Sequence, residues 1–263
     1  MKKLFKMSAV VLFVLIVFSA CGRNESVSGK ITSFPPYGER VVPAMGVSLA
    51  AGYGLDSQED NYLKLFSDNI GAVLNNDAVS GYDSGEVLKS LSDEKTAADI
   101  KNADAIVVSV GGNDFFHRKD TMIDALKNAL LHGEGFFPEE VTNIYDEYEK
   151  NLSRIIDEIK NMNPDAYIIV QTVYNPFLKQ TLNFSYINVG KTANRYVTRL
   201  NDSIKNVCKT KNRVFVFDVA PEMNEDAENF YGTDEKLDIH PTKHGHATLA
   251  RVFTEKFNGL LKD

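Results

Sequence analysis

The chain reads as an α/β domain built on a parallel sheet with helices on both faces, and three observations predict this. Five short apolar runs alternate with stretches of helical periodicity. Strands that alternate with helices pair in parallel, because each crossover needs a helix to return the chain. Several of the runs stop at strand-closing residues: Gly46, Gly111-Gly112 and Asn175-Pro176. About 224 residues, from Arg40 to Asp263, make up the domain, enough to bury a sizeable core.

The elements follow in order. The run Val41, Val42, Ala44, Met45 suits a buried strand, and Gly46 breaks it, leaving Ser48 in a turn of small residues. Asn61 to Gly71 spaces Leu63, Phe66 and Ile70 as a helix would. Ala72 to Val79 (AVLNNDAV) is a second strand, and SGEVLKSL a short helix with Ser84 as its cap. Ala103 to Val110 (ADAIVVSV) is the clearest buried strand. Helical patterns cover Met122 to Leu131 and Pro138 to Met162; the second places Ile144, Tyr148, Leu152, Ile155 and Ile159 on one face. AYIIVQTV is the fourth strand, Thr192 to Thr210 a helix, RVFVFDV the fifth strand, and His244 to Leu261 the closing helix.

The first 20 residues lie outside this domain. Lys2, Lys3 and Lys6 form a basic region before the apolar VVLFVLIVF, the layout of a signal peptide. That apolar core is short of the ~20 residues a membrane span needs. Phe18-Ser19-Ala20-Cys21-Gly22 resembles the lipobox of bacterial lipoproteins, with Phe18 where that motif usually has leucine. The resemblance implies cleavage before Cys21, a lipid on Cys21, and a protein anchored at the extracytoplasmic face of the membrane; the alternative is a simple signal anchor. Gly22 to Glu39, rich in Ser, Gly and Pro, reads as a tether. With Cys21 lipidated, only Cys208 remains, so no internal disulfide forms, and Cys208 reads as an inert buried thiol. Without the signal lysines the formal net charge moves from −7 to −10. That acidity argues against nucleic acid as a partner.

In open parallel sheets ligands bind beyond the carboxyl ends of the strands. The loops there carry Ser48, Gly81, Asn113 in VGGND, and His240 in LDIHPTKHGH. Acyl transfer needs a hydroxyl nucleophile, a base for its proton, and donors for the developing oxyanion. These four residues supply that list, Gly81 through a backbone N–H that no Cβ shields. Each has a plainer reading: Ser48 as a helix cap, Asn113-Asp114 as an Asx turn, and His240 as the residue before a helix-opening proline.

The ordered blocks VVPAMGVS, VSGYDS, VSVGGNDF, YNPF and HPTKHGHATLA resemble the SGNH hydrolases, also called GDSL lipases and esterases, across nearly the whole domain. That resemblance implies a three-layer α/β/α sandwich on a five-stranded parallel sheet, a flavodoxin-like arrangement, with no cofactor and no metal. It also implies roles: Ser48 the nucleophile, His240 the base, and the Ser48 N–H, Gly81 N–H and Asn113 side chain the oxyanion hole. Two positions depart from the family. Val47 stands where the family has aspartate, and Leu237 where the triad acid usually lies, three residues before the histidine. Asp238 lies two before, and in an extended segment i and i+2 point to the same side, which puts it in reach of the His240 ring.

The expected function is therefore serine ester hydrolysis of an acyl or acetyl group on a small molecule, lipid or glycan. The alternatives are a catalytically weakened binding lipoprotein on the same fold and an acyl or acetyl transferase acting on envelope glycans. His240, His244 and His246 invite a zinc reading, but His244 and His246, two apart on a helix, face different directions. Asp114 is expected to accept from loop amides. Asp56, Glu59 and Asp60 read as solvated surface. Phe115, Phe116, Phe136, Phe137 and Phe177 read either as an acyl pocket or as ordinary core.

Overall fold

The apolar runs pair side by side. A computed structural model describes residues 31, 34–118, 120–122, 124–125, 137–179, 183–184, 187–231 and 238–261. Its central sheet joins β1 (Arg40–Gly46), β2 (Ala72–Asn76), β3 (Ala105–Ser109), β4 (Tyr167–Gln171) and β7 (Val214–Phe217). The order across the sheet is β2-β1-β3-β4-β7 and every pairing is parallel. Ala44 pairs with Val107, Gly46 with Ser109, and Gln171 with Phe217. All five carboxyl ends therefore meet along one edge. A separate antiparallel ribbon, β5 (Asn183–Phe184) with β6 (Ile187–Asn188), leads into the helix that follows and was not anticipated from the sequence.

Helices cover both faces, so the sheet is the middle layer of three. Alternation along the strands divides the core in two. Met45, Ile106, Val108, Ile168 and Val170 point to α5 (Glu139–Met162) and α6 (Val189–Cys208), meeting Leu152, Ile155, Leu200 and Ile204. Val42, Ala44, Val107, Ile169 and Phe215 point to α1 (Tyr62–Asn69) and α8 (Lys243–Leu261). There Phe66 packs edge-on against Phe253 and Phe257, with centroids 5.4 and 5.6 Å apart. Both faces being covered explains why β3 and β4 are apolar at nearly every position. Cys208 is buried at the end of α6, and burial pushes its thiol up to about 12, as an inert cysteine requires.

Several local expectations need correction. Ser84 does not cap α2 (Ser84–Ser90). Asp83 does, in a capping box: its carboxylate accepts from the Glu86 N–H at 3.0 Å and Glu86 accepts from the Asp83 N–H at 3.0 Å. α3 (Glu94–Lys101) was not read from the sequence, because only Thr96 and Ile100 of its residues are buried. Gly112–Phe116, read as a loop, forms a short helix α4, and Ala220–Glu225 forms α7. From the expected tether, Ile31 donates its N–H to Leu260 and is buried, and Gly38 donates to Gly71, so these residues are docked on the domain. Residues 1–20, Cys21, most of the expected Met122–Leu131 helix, Phe136 and Leu237 lie outside the described residues.

Candidate active site

The site begins where β1 ends. A Cβ on Gly46 would lie 2.5 Å from the Ser109 carbonyl, so glycine lets β1 and β3 close against each other here. The turn beyond is clamped. Tyr53 N–H donates to Ser48 O at 2.9 Å, and the Ala50 carbonyl accepts from the side-chain amides of Asn61 and Asn76 at 2.9 and 2.8 Å. Ser48 thus rides on a fixed turn, half-buried, with Val47 and Leu49 buried on either side.

His240 arrives from the far end of the chain, just before α8. Its Nε2 is 2.9 Å from Ser48 Oγ and its Nδ1 is 2.7 Å from Asp238 Oδ1. The same carboxylate oxygen accepts the His240 backbone N–H at 2.9 Å, so the two-residue spacing folds back on the ring. A carboxylate at Nδ1 holds the proton there and leaves Nε2 as an acceptor facing the serine. Tyr53 lies over the His240 ring, centroids 4.5 Å apart, and remains half exposed. Nothing in its sequence position marked it.

The other two loops are pinned to each other. Gly111, with φ 127°, turns the chain out of β3 into α4, where Asn113 Nδ2 donates to Tyr82 O at 2.8 Å. The second amide hydrogen of Asn113 has no partner among the described residues. Asp114 accepts the Ser84 N–H at 3.2 Å and the Ser84 hydroxyl in a short bond, and so acts as the loop acceptor. Burial pushes its carboxyl up to about 6, against the Ser84 bonds that pull it down. Gly81 stands in the tied β2–α2 loop with φ 90°, exposed, and does not line the cavity beside Ser48. The backbone N–H groups of Ser48 and Gly81 have no partner among the described residues.

Beside Ser48 lies a cavity of about 80 Å³ lined by Asn113, Phe116, Gln171, Tyr174 and His240 among others. Of the expected phenylalanines that the structure describes, only Phe116 reaches it. Phe115 and Phe137 pack on Tyr145 in the core, and Phe177 is partly buried outside the cavity lining. Gln171 was missed, although a lone polar residue closing the run YIIVQ was a visible signal.

The three histidines diverge. His244 Nε2 meets Asp226 on the surface at 3.1 Å. His246 is buried, and its Nδ1 accepts the Tyr62 N–H that opens α1, at 3.2 Å. Among the described residues, Asp83, Glu86 and His117, and separately Asp226, Glu228 and His244, lie close enough to share a cation. In each group a carboxylate already caps a helix or helical turn. Of the acidic cluster, Asp60 pairs with Lys243 at 2.9 Å and Glu59 with Lys64 at 3.4 Å.

Known proteins share the fold. The chain is similar to the uncharacterized protein YpmR of Bacillus subtilis (strain 168), 28% identical over 232 residues, covering 85% of this chain and 84% of that protein. Its fold is similar to that of the lipase Lip_vut3 from a goat rumen metagenome, with a TM-score of 0.63 and 18% identity, covering 82% of this chain and 96% of that one. It is also similar to phospholipase A1 from Streptomyces albidoflavus NA297, with a TM-score of 0.63 and 15% identity over 83% of this chain and 99% of that one. A sequence profile of the GDSL-like Lipase/Acylhydrolase family matches residues 44–248, which hold all four candidate loops. The chain belongs to the GDSL-like lipase/acylhydrolase family.

Proposed function

We propose that the domain hydrolyses acyl esters, with Ser48 as nucleophile, His240 as general base and Asp238 as the carboxylate that orients it. The 2.9 Å approach of His240 Nε2 to Ser48 Oγ carries this reading. As Oγ bonds to the ester carbonyl carbon, its proton passes to Nε2 and the carbonyl π pair moves onto oxygen. The Ser48 N–H, the Gly81 N–H and the Asn113 amide donate to that oxyanion. Collapse of the intermediate expels the alcohol, which takes the proton from His240. Water then repeats the sequence on the acyl-serine, releasing the acid and restoring Ser48. Asp238 balances the imidazolium in both halves without itself taking the proton. The substrate is an acyl or acetyl ester on a small molecule, lipid or glycan, and Cys21 carries the lipid that keeps the enzyme at the membrane.

A fluorophosphonate probe tests the centre. The purified protein is expected to be labelled at Ser48 and to turn over p-nitrophenyl acetate, and Ser48→Ala to lose both. Folded wild-type protein that takes no label sinks the hydrolase reading in favour of a binding protein on this fold.

A further inference from the structure

Resting on that reading of Ser48 and His240, we propose that Tyr53 is the platform for the alcohol half of the ester, and that the alcohols it takes carry a ring, saccharide or aryl. The first argument is place. When the acyl-enzyme forms, the bond from the carbonyl carbon to the alcohol oxygen breaks, and that oxygen takes the proton from His240 Nε2. The departing alcohol therefore lies within hydrogen-bond reach of Nε2. The Tyr53 ring centroid is 4.5 Å from that of His240, so Tyr53 borders the same ground. His240 lines the cavity beside Ser48 and Tyr53 does not. With the acyl group turned to the cavity, the alcohol outside it meets Tyr53.

The second argument is how Tyr53 is held. Single apolar residues on a surface are ordinary and call for no ligand. Tyr53 differs in being fixed to the catalytic pair from two sides. Its N–H donates to Ser48 O at 2.9 Å, and its ring rests on the His240 imidazole. Gly52 and Gly54, with φ 71° and 83°, bend the chain before and after it. The two rings are tilted by 42°, so the imidazole covers Tyr53 incompletely and 54% of the residue stays open. The third argument is shape. The negative π face of a tyrosine takes the positive edge of an aryl ring or the C–H bonds on one face of a pyranose. A ring lies on it without losing internal freedom, whereas an open alkyl chain must give up rotamers to do so.

Acetate release from methyl 6-O-acetyl-glucopyranoside, benzyl acetate and n-hexyl acetate tests this with the purified full chain. All three are acetates of primary alcohols, so the acyl group is constant and the alcohol varies. Wild type is expected to favour at least one of the two ring acetates over hexyl acetate by about fivefold or more in kcat/KM. The faster ring ester tells saccharide from aryl alcohol. Tyr53→Phe keeps the ring and keeps the preference. Tyr53→Ala brings the ratio to about one. Tyr53→Leu, apolar but without a ring, lowers it in the same direction and serves if the alanine variant does not fold. Hexyl acetate turned over as fast as both ring esters in wild type, or a ring preference that survives alanine and leucine, overturns the platform. So does an equal loss on all three acetates in Tyr53→Ala, which assigns Tyr53 to holding His240 instead. Each of these results leaves the hydrolase intact. Failure on every acetate together with an unlabelled Ser48 removes the hydrolase reading and this proposal with it.

Discussion

Asp238 does two jobs with one oxygen: it anchors the His240 backbone N–H and faces the ring Nδ1. Asp238→Asn keeps the backbone bond and loses the charge that favours the acceptor tautomer. We expect kcat on p-nitrophenyl acetate to fall by between about 10² and 10⁴, with KM little changed because Asp238 touches the histidine and not the substrate. His246 and Asp114 govern acid behaviour with opposite signs. Burial, helped by the charge of His240, lowers the His246 imidazole from 6.5 to about 4. Its contribution to stability is therefore complete above about pH 6.5 and lost as the pH falls toward 4, on the order of 3 kcal/mol. Asp114 is raised from 3.8 to about 6, so its contribution is complete below 3.8 and lost as the pH rises through 6. Urea unfolding between pH 7 and 4 should show a flatter acid decline for His246→Gln than for wild type, and a steeper one for Asp114→Asn.

The segment from β1 carries strand pairing directly into the Ser48 turn. Val47 N–H donates to Ser109 O at 3.2 Å, continuing the β1–β3 ladder one residue past Gly46. A methyl at Gly46 meets that same carbonyl, which is backbone and has little freedom to yield. Gly46→Ala is expected to lower stability by about 1–3 kcal/mol and to lower esterase activity through displacement of Ser48. Melting temperature and kcat on one purified sample check both. The two small loops behave as one unit for a similar reason. The bonds from Asn113 to Tyr82 and from Ser84 to Asp114 tie the start of α4 to the start of α2. Val47 fills with an aliphatic the place where the family has aspartate, and in this chain it becomes part of the cavity wall.

For the molecule as a whole, parallel pairing is what gathers the chemistry. Five strands running one way put residues separated by 192 positions, Ser48 and His240, on the same edge. Among the described residues, no helix is long and apolar enough to cross a membrane. Membrane attachment through Cys21 is thus a separate proposal, drawn from the lysines and apolar run that precede it. Expressed in a bacterial host, the full chain is expected in the detergent phase of a Triton X-114 partition. Cys21→Ala is expected to leave that phase or to remain unprocessed. Equal partitioning and processing of the two would remove the lipid anchor.

The five sheet strands, the longer helices between them and the four loops were legible in the sequence, because buried strands and amphipathic helices leave periodic patterns and strand-ending glycines mark the loops. Asp238 was legible too, since its distance from His240 is local. Other features depended on partners remote in the chain. Ser84 looks like a cap until Asp114 claims it, and the phenylalanines read equally as pocket or core until Phe115 and Phe137 pack on Tyr145 and Phe116 on the cavity. Tyr53 acquires meaning only beside Ser48 and His240. Local periodicity is carried by each segment alone; which side chain finds a partner is decided only when the packed sheet brings distant loops together.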